Sequence, residues 1–166
     1  MALRIVRKEN PLPRDAAEWL QAVSAAVEDL APETLGCELA GVTSYRGELE
    51  PAACGALLPV SGDDENLQLG LFCTPAAARE LAAAFLSHAD PESLHAAEVA
   101  DALGEILNSW MSTVLVRLGV PGATLRLGLP LFVSGPLQAG ITMERSGLSM
   151  KLGPTPVSLV LLRRAH

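Results

Sequence analysis

At 166 residues the chain is long enough to bury a core without disulfides or a structural metal, and a composition 49% hydrophobic but only 4% aromatic points to Leu, Val, Ile and Ala around Trp19 and Trp110. A net charge of -7 excludes a general phosphate-binding surface, so nucleic acid is not an expected partner; Arg4, Arg7 and Lys8 at one end and Arg163 and Arg164 at the other read as terminal solvation. Cys37, Cys54 and Cys73 lack CxxC spacing and read as reduced, buried thiols, no apolar run is long enough for a membrane, and no apolar segment follows the charged stretch through Asn10, so the expectation is a cytoplasmic protein without signal peptide or metal site.

Pro11 and Pro13 break the first segment, so residues 1–14 read as an N-terminal extension and residues 15–166 as one domain. In "RDAAEWLQAVSAAVEDLAPETLG" the apolar residues Trp19, Leu20, Val23, Val27 and Leu30 recur at helical spacing, and that helix is expected to stop near Pro32. From Cys37 the texture changes to short, Gly-punctuated runs, "CELAGVTSYRGEL", "AACGALLPV" and "LQLGLFC", which read as strands. The "SGDDEN" between the last two is a solvated hairpin turn; it lacks the alternate-position carboxylates of a calcium loop.

Thr74 and Pro75 form an N-cap and first-turn pair for a second helix, "PAAARELAAAFLSH". Asp90 and Pro91 repeat the signal, and the spacing predicts a third helix from residue 92 to about 118, ended by Gly119. Strand texture returns in "ATLRLGLPLFV", "LQAGITMER", "LSMKLG" and "VSLVLLRR", separated by "SGP", "SG" and "GPTP". Helix, strands, two helices, strands is the order of an α+β fold, a largely antiparallel β-sheet packed with long α-helices, and the repetition allows an internal pseudo-repeat. The apolar "VSLVLLRR" would be a hazard as an open sheet edge, which points to a homodimer that covers it.

Most catalytic apparatus is missing: the sequence has no P-loop, GxGxxG, GxSxG or HExxH, and His88, His95 and His166 read as surface residues. The third helix is different. Asp101, Glu105, Asn108, Ser109 and Ser112 share about a third of its circumference, while Val99, Leu103, Ile106, Leu107, Trp110 and Val114 lie opposite. Such a polar face usually just meets water. Gly104, however, costs roughly 1 kcal/mol relative to Ala within a helix, a cost that often accompanies close packing. Asn108 is also a poor helix-interior residue, because its amide competes for backbone hydrogen bonds.

"DALGEILN", residues 101–108, resembles the DxxxExxN core of the CheC/CheX phosphatases of bacterial chemotaxis, and Pro130 follows Asn108 with 21 residues between them, one fewer than the family pattern. The similarity of element order covers roughly residues 15 to 162. CheX-like domains have one such motif and CheC-like domains two; here the first helix offers only Glu18 and Gln21, with Arg14 in the acidic position, so one site is expected. Ser112 stands where family members often have Gly, and is small enough for close approach.

The resemblance implies a CheX-like dimer that hydrolyses the aspartyl phosphate of a CheY-like response regulator in two-component signalling. It implies that Asn108 positions the attacking water and Glu105 docks to a regulator lysine. Asp101, Gly104 and Ser112 would contact the partner, and Pro130 would be structural near the site. It further implies that the chain binds no cofactor of its own and that Mg2+ comes from the regulator. The alternative is a non-catalytic binding or dimerisation module of the same superfamily, in chemotaxis or the flagellar switch; a water-positioning amide favours the phosphatase.

Overall fold

The computed structural model describes residues 12–45, 53–120, 124–135 and 143–164, and its helices start where capping chemistry starts them. The Asp15 carboxylate accepts the Glu18 N–H at 2.8 Å and opens α1, Ala16–Thr34. This helix runs through Pro32. A proline in the last turn removes a single intrahelical bond, and the chain turns away only at Gly36, whose φ of +65° favours glycine. Thr74 caps α2, Pro75–Phe85, as expected, with its hydroxyl accepting the Ala77 N–H at 3.2 Å.

Asp90 and Pro91 start only a short 3-10 turn, Pro91–Ser93. The extended backbone at Leu94 and His95 interrupts the helical run, so α3 spans Ala96–Arg117 rather than beginning at residue 92. The Glu98 carboxylate accepts the His95 N–H at 2.8 Å at its start.

The strands are β1 (Leu39–Tyr45), β2 (Cys54–Gly62), β3 (Asn66–Cys73), β4 (Leu125–Leu127), β5 (Leu131–Ser134), β6 (Met143–Leu152) and β7 (Thr155–Arg164). They pair antiparallel in the order β1-β6-β7-β3-β2-β4, with β5 also on β2. Two expectations are corrected here. The "SG" at Ser146 and Gly147 is no turn, since β6 continues through it in register with β7. "VSLVLLRR" lies between β6 and β3, so it is no edge, and the edges are β1 and β4/β5. The first part of "LQAGITMER" lies outside the described residues.

The connectivity contains the suspected repeat. Reading α1-β1-β2-β3 against α3-β4/β5-β6-β7, each half contributes a helix, an edge strand and a hairpin, and each edge strand pairs with the other half's hairpin: β1 with β6, and β4/β5 with β2. All three helices lie on one sheet face, over Leu58, Val60, Leu67, Leu69, Leu71, Leu159 and Leu161. A smaller cluster of Ala53, Leu57, Phe72, Val160 and Leu162 forms on the other face. Leu12 packs against the main core, so the fold begins ahead of Asp15. Cys54 and Cys73 are buried register partners, and burial pushes the Cys73 thiol up to about 12; Cys37 is half-buried.

A charged clamp was hidden in segments that read as solvated. Arg163 donates from Nε to Glu65 at 2.9 Å and from Nη1 to the Arg14 carbonyl, and both side chains are nearly inaccessible. The last residue of the hairpin turn and one of the two terminal arginines thus join the β2–β3 hairpin, β7 and the start of α1. Desolvation makes such a pair a poor net stabiliser but a costly one to break.

Both edge strands carry an extra residue. In β1 the register with β6 shifts between Ala40 and Thr43, at Gly41 with φ +60°. Between β4 and β5, Gly128, Leu129 and Pro130 face only Pro59 and Leu58 of β2, and the Gly128 N–H donates to the Pro59 carbonyl at 2.7 Å. Such a bulge re-aims side chains. Here it presses Pro130 onto α3 at Gly104, where an added Cβ would lie 2.9 Å from Pro130 Cβ and 3.3 Å from its Cγ.

Arg163→Met, which strands the buried Glu65 carboxylate, should cost about 3–5 kcal/mol by urea denaturation, and adding Glu65→Leu should recover most of it. Equal losses in the single and double variants would contradict the clamp. Gly104→Ala gains up to ~1 kcal/mol of helix propensity but overpacks against Pro130 at a cost of roughly 1–3 kcal/mol, for a net loss of about 1 kcal/mol. In a Pro130→Gly background, which lacks both obstructing atoms, the same substitution should be neutral or stabilising; equal effects in the two backgrounds would show that the contact is not what excludes Ala.

Candidate functional site

Helix α3 packs on β2 with α2 and α1 beside it, and Val99, Leu103, Ile106, Leu107, Trp110 and Val114 are all buried, as the helical wheel requires. The opposite stripe faces outward. Asp101 and Glu105 are exposed, while Asn108, Ser109 and Ser112 are half-buried. Among the described residues the side chains of Asp101, Glu105 and Asn108 have no hydrogen-bond or ion-pair partner. Glu98, in contrast, is tied to the His95 backbone.

At about 100° per residue, Asn108 and Asp101 lie about 60° and 40° from Glu105, both toward the Gly104 side where Pro130 sits. The carboxamide is therefore the group of the stripe nearest the Pro130 bulge, and the Glu105 carboxylate stands one turn before it. Gly104 is itself buried and receives Pro130, so its small size serves a contact inside the chain and not a direct partner contact. Ser112 is one turn beyond Asn108 on the same stripe.

From Asp90 to Val116 the chain has five carboxylates, at Asp90, Glu92, Glu98, Asp101 and Glu105, and neither Lys nor Arg. This makes the exposed side of α3 and the turn before it acidic, complementary to a cationic partner group. A stripe with two untied carboxylates and one carboxamide can accept a cation's hydrogen bonds and orient a water; it has no strong base or nucleophile of its own. Among the described residues no group of three or more His, Cys, Asp or Glu could hold a metal ion, and no helix is long and apolar enough to cross a membrane. His88 and His95 are exposed, and His166 lies outside the described residues.

The corresponding stripe of α1 is closed by its own charges. Arg14 holds Glu18 at 2.8 Å, and those hydrogen bonds keep the Glu18 carboxyl below its ordinary range. A cavity of about 550 Å³ opens elsewhere, near Tyr45, Phe72, Ser149 and Ser158, and none of the α3 stripe lines it. Leu129 and Leu131, whose apolar character in "LGLPLFV" reads as strand interior, are 84% and 63% exposed.

No family model matches this sequence, and no curated protein matches it. Solved structures do. A CheC-like superfamily protein from Shewanella sp. PV-4 superposes with a TM-score of 0.71 over 89% of this chain and 97% of that one, at 14% identity. The chemotaxis protein CheX from Vibrio vulnificus gives 0.70 at 16% identity, covering 89% of this chain and 99% of that one. CheX from Borrelia burgdorferi, solved in a CheX–CheY–BeF3–Mg2+ complex, gives 0.60 at 14% identity, covering 89% and 96%. The seven-stranded antiparallel sheet under three helices that the described residues form is therefore a CheC/CheX-type α+β fold.

Proposed function

We propose that this domain interacts with a CheY-like response regulator and hydrolyses its aspartyl phosphate. The observation that carries the reading is one helix face on which a carboxylate and a carboxamide, Glu105 and Asn108, stand without partners among the described residues, next to a proline seated on Gly104. The Borrelia complex supports it, since a CheX of the same fold is found there with CheY, BeF3 and Mg2+.

In this mechanism the water oxygen attacks phosphorus in line with the bond to the regulator's aspartyl oxygen. That bond breaks, releasing inorganic phosphate and the free carboxylate. Phosphoryl transfer of this kind depends on positioning and charge neutralisation more than on covalent help. The Asn108 carboxamide oxygen accepts a hydrogen bond from the water and its NH2 donates to a phosphoryl oxygen. The amide does not titrate, so the water's proton leaves with the phosphate.

Glu105 pairs with a regulator lysine and fixes the register of Asn108. Asp101 extends the acidic contact, and Ser112 leaves room one turn farther on. In this reading the Mg2+ that offsets the phosphoryl charge is supplied by the regulator, and this chain contributes no cofactor of its own. The acting form in this reading is a homodimer.

With a CheY-like regulator charged by acetyl phosphate, Asn108→Ala should fold normally and lower dephosphorylation on the order of 100-fold, about 2.7 kcal/mol of transition-state stabilisation. A fully active variant would sink the mechanism. Glu105→Ala should weaken binding of a beryllofluoride-loaded regulator by about tenfold, ~1.4 kcal/mol, and unchanged affinity in that titration would remove Glu105 from the interface.

A further inference from the structure

The sheet face turned away from the helices carries a cavity that neither the main core nor the α3 stripe uses, and strand register places its floor. Ser149 of β6 pairs with Ser158 of β7, and Ser158 pairs on its other side with Phe72 of β3. The three side chains therefore stand in one row across the sheet, on the face of Ala53, Val160 and Leu162. Two residues along the same strands, and so on the same face, Lys151 pairs with Pro156.

In the other direction the next row is Gly147, Val160 and Gly70. Its glycines make room for rings: a Cβ at Gly147 would lie 3.1 Å from Tyr45 Cδ1, and one at Gly70 would collide with the ring of Phe72. Both rings are thereby seated on the glycine row. The cavity of about 550 Å³ opens over the two serines, with the rings at one end and Lys151 at the other.

That volume is within the ~300–1,000 Å³ of small-molecule sites. Among the described residues the hydroxyls of Tyr45, Ser149 and Ser158 and the ammonium of Lys151 have no hydrogen-bond or ion-pair partner. Lys151 is also the one charged side chain among the described residues that line the cavity, in a chain of net charge -7. A cation that no lining carboxylate answers selects for an anion.

We propose that this cavity binds a small carboxylate with a flat apolar body. The body lies against the rings of Tyr45 and Phe72, the Ser149 and Ser158 hydroxyls donate to the carboxylate, and the Lys151 ammonium pairs with it. The site shares no residue with the α3 stripe and does not depend on the phosphatase reading.

The test is calorimetric titration of the full chain with 2-naphthoate and with its uncharged counterpart 2-naphthylmethanol, with the thermal transition of each variant measured alongside. Wild type should bind the acid saturably, one per chain, and more tightly than the alcohol. Lys151→Met, whose side chain is exposed and should leave the thermal transition in place, should weaken the acid by on the order of fivefold and the alcohol by less than about twofold. Ser158→Leu, which fills the floor, should weaken both by about 10-fold or more. Asn108→Ala should bind both like wild type.

Absence of saturable binding, or equal binding by wild type and Ser158→Leu, would overturn the site. Equal losses of acid and alcohol in Lys151→Met would overturn its choice of an anion. Binding that disappears at protein concentrations where light scattering shows a dimer would place a second copy of this chain over the cavity and overturn the proposal.

Discussion

The seating of Pro130 on Gly104 ties the two halves of the site together. Glycine within a helix is a loss taken against the backbone's own preference, and a proline on an edge strand forfeits a ladder bond. Each is tolerable because the other is there. The extra residue between β4 and β5 brings the proline inward, the missing Cβ at 104 lets it arrive, and the outer stripe of α3 is fixed relative to the sheet by contact instead of by charge. Asp101, Glu105 and Asn108 therefore need no partners in the chain to be positioned, and their polar groups stay available to water or to another protein.

The repeated connectivity explains why one half has this arrangement and the other does not. The β1 bulge at Gly41 occupies the place in the first half that Gly128–Leu129–Pro130 takes in the second, but β1 has no proline after it, from Val42 to Tyr45. On α1 the acidic residue Glu18 is neutralised by Arg14, and Arg14 is further held through its carbonyl by Arg163 from the end of β7. The chemistry of the first stripe is thus absorbed into the clamp that closes the N-terminal side of the core. The same position in the architecture, given an arginine, becomes structural.

Much of this was legible in the residues. Helix caps at Thr74, the helical periodicity of α1 and α3, and the β2–β3 hairpin follow from local chemistry, and the wheel of α3 separated its buried and outward residues correctly. What escaped depends on pairings far apart in sequence. Nothing near Arg163 says that Glu65 waits for it 98 positions away, so both read as solvated. Strand order is likewise nonlocal: the apolar "VSLVLLRR" is apolar because it lies at the centre of the sheet, with neighbours on both sides. Asp90–Pro91 misled because a good start signal can be spent on a single 3-10 turn. Of the site, Gly104 was legible as a packing anomaly and Pro130 as its structural neighbour; that the two touch each other needed the bulge, which no local pattern announces.

In the proposed function Asn108 is a weak catalytic tool, and that weakness accounts for the design around it. An amide cannot take a proton, so any rate it contributes must come from where it stands, and that contribution falls away with small misplacements. A loop would not hold it well enough. A helix interior does, with Trp110 and Leu107 buried beneath it and Pro130 against its flank, at the expense of the poor helix propensity of both Asn108 and Gly104. Gly104 and Asn108 stand about one turn apart on α3, each a local loss of helix propensity beside the groups that need to be positioned, which is the pattern expected when stability is given up for a site and regained in the core.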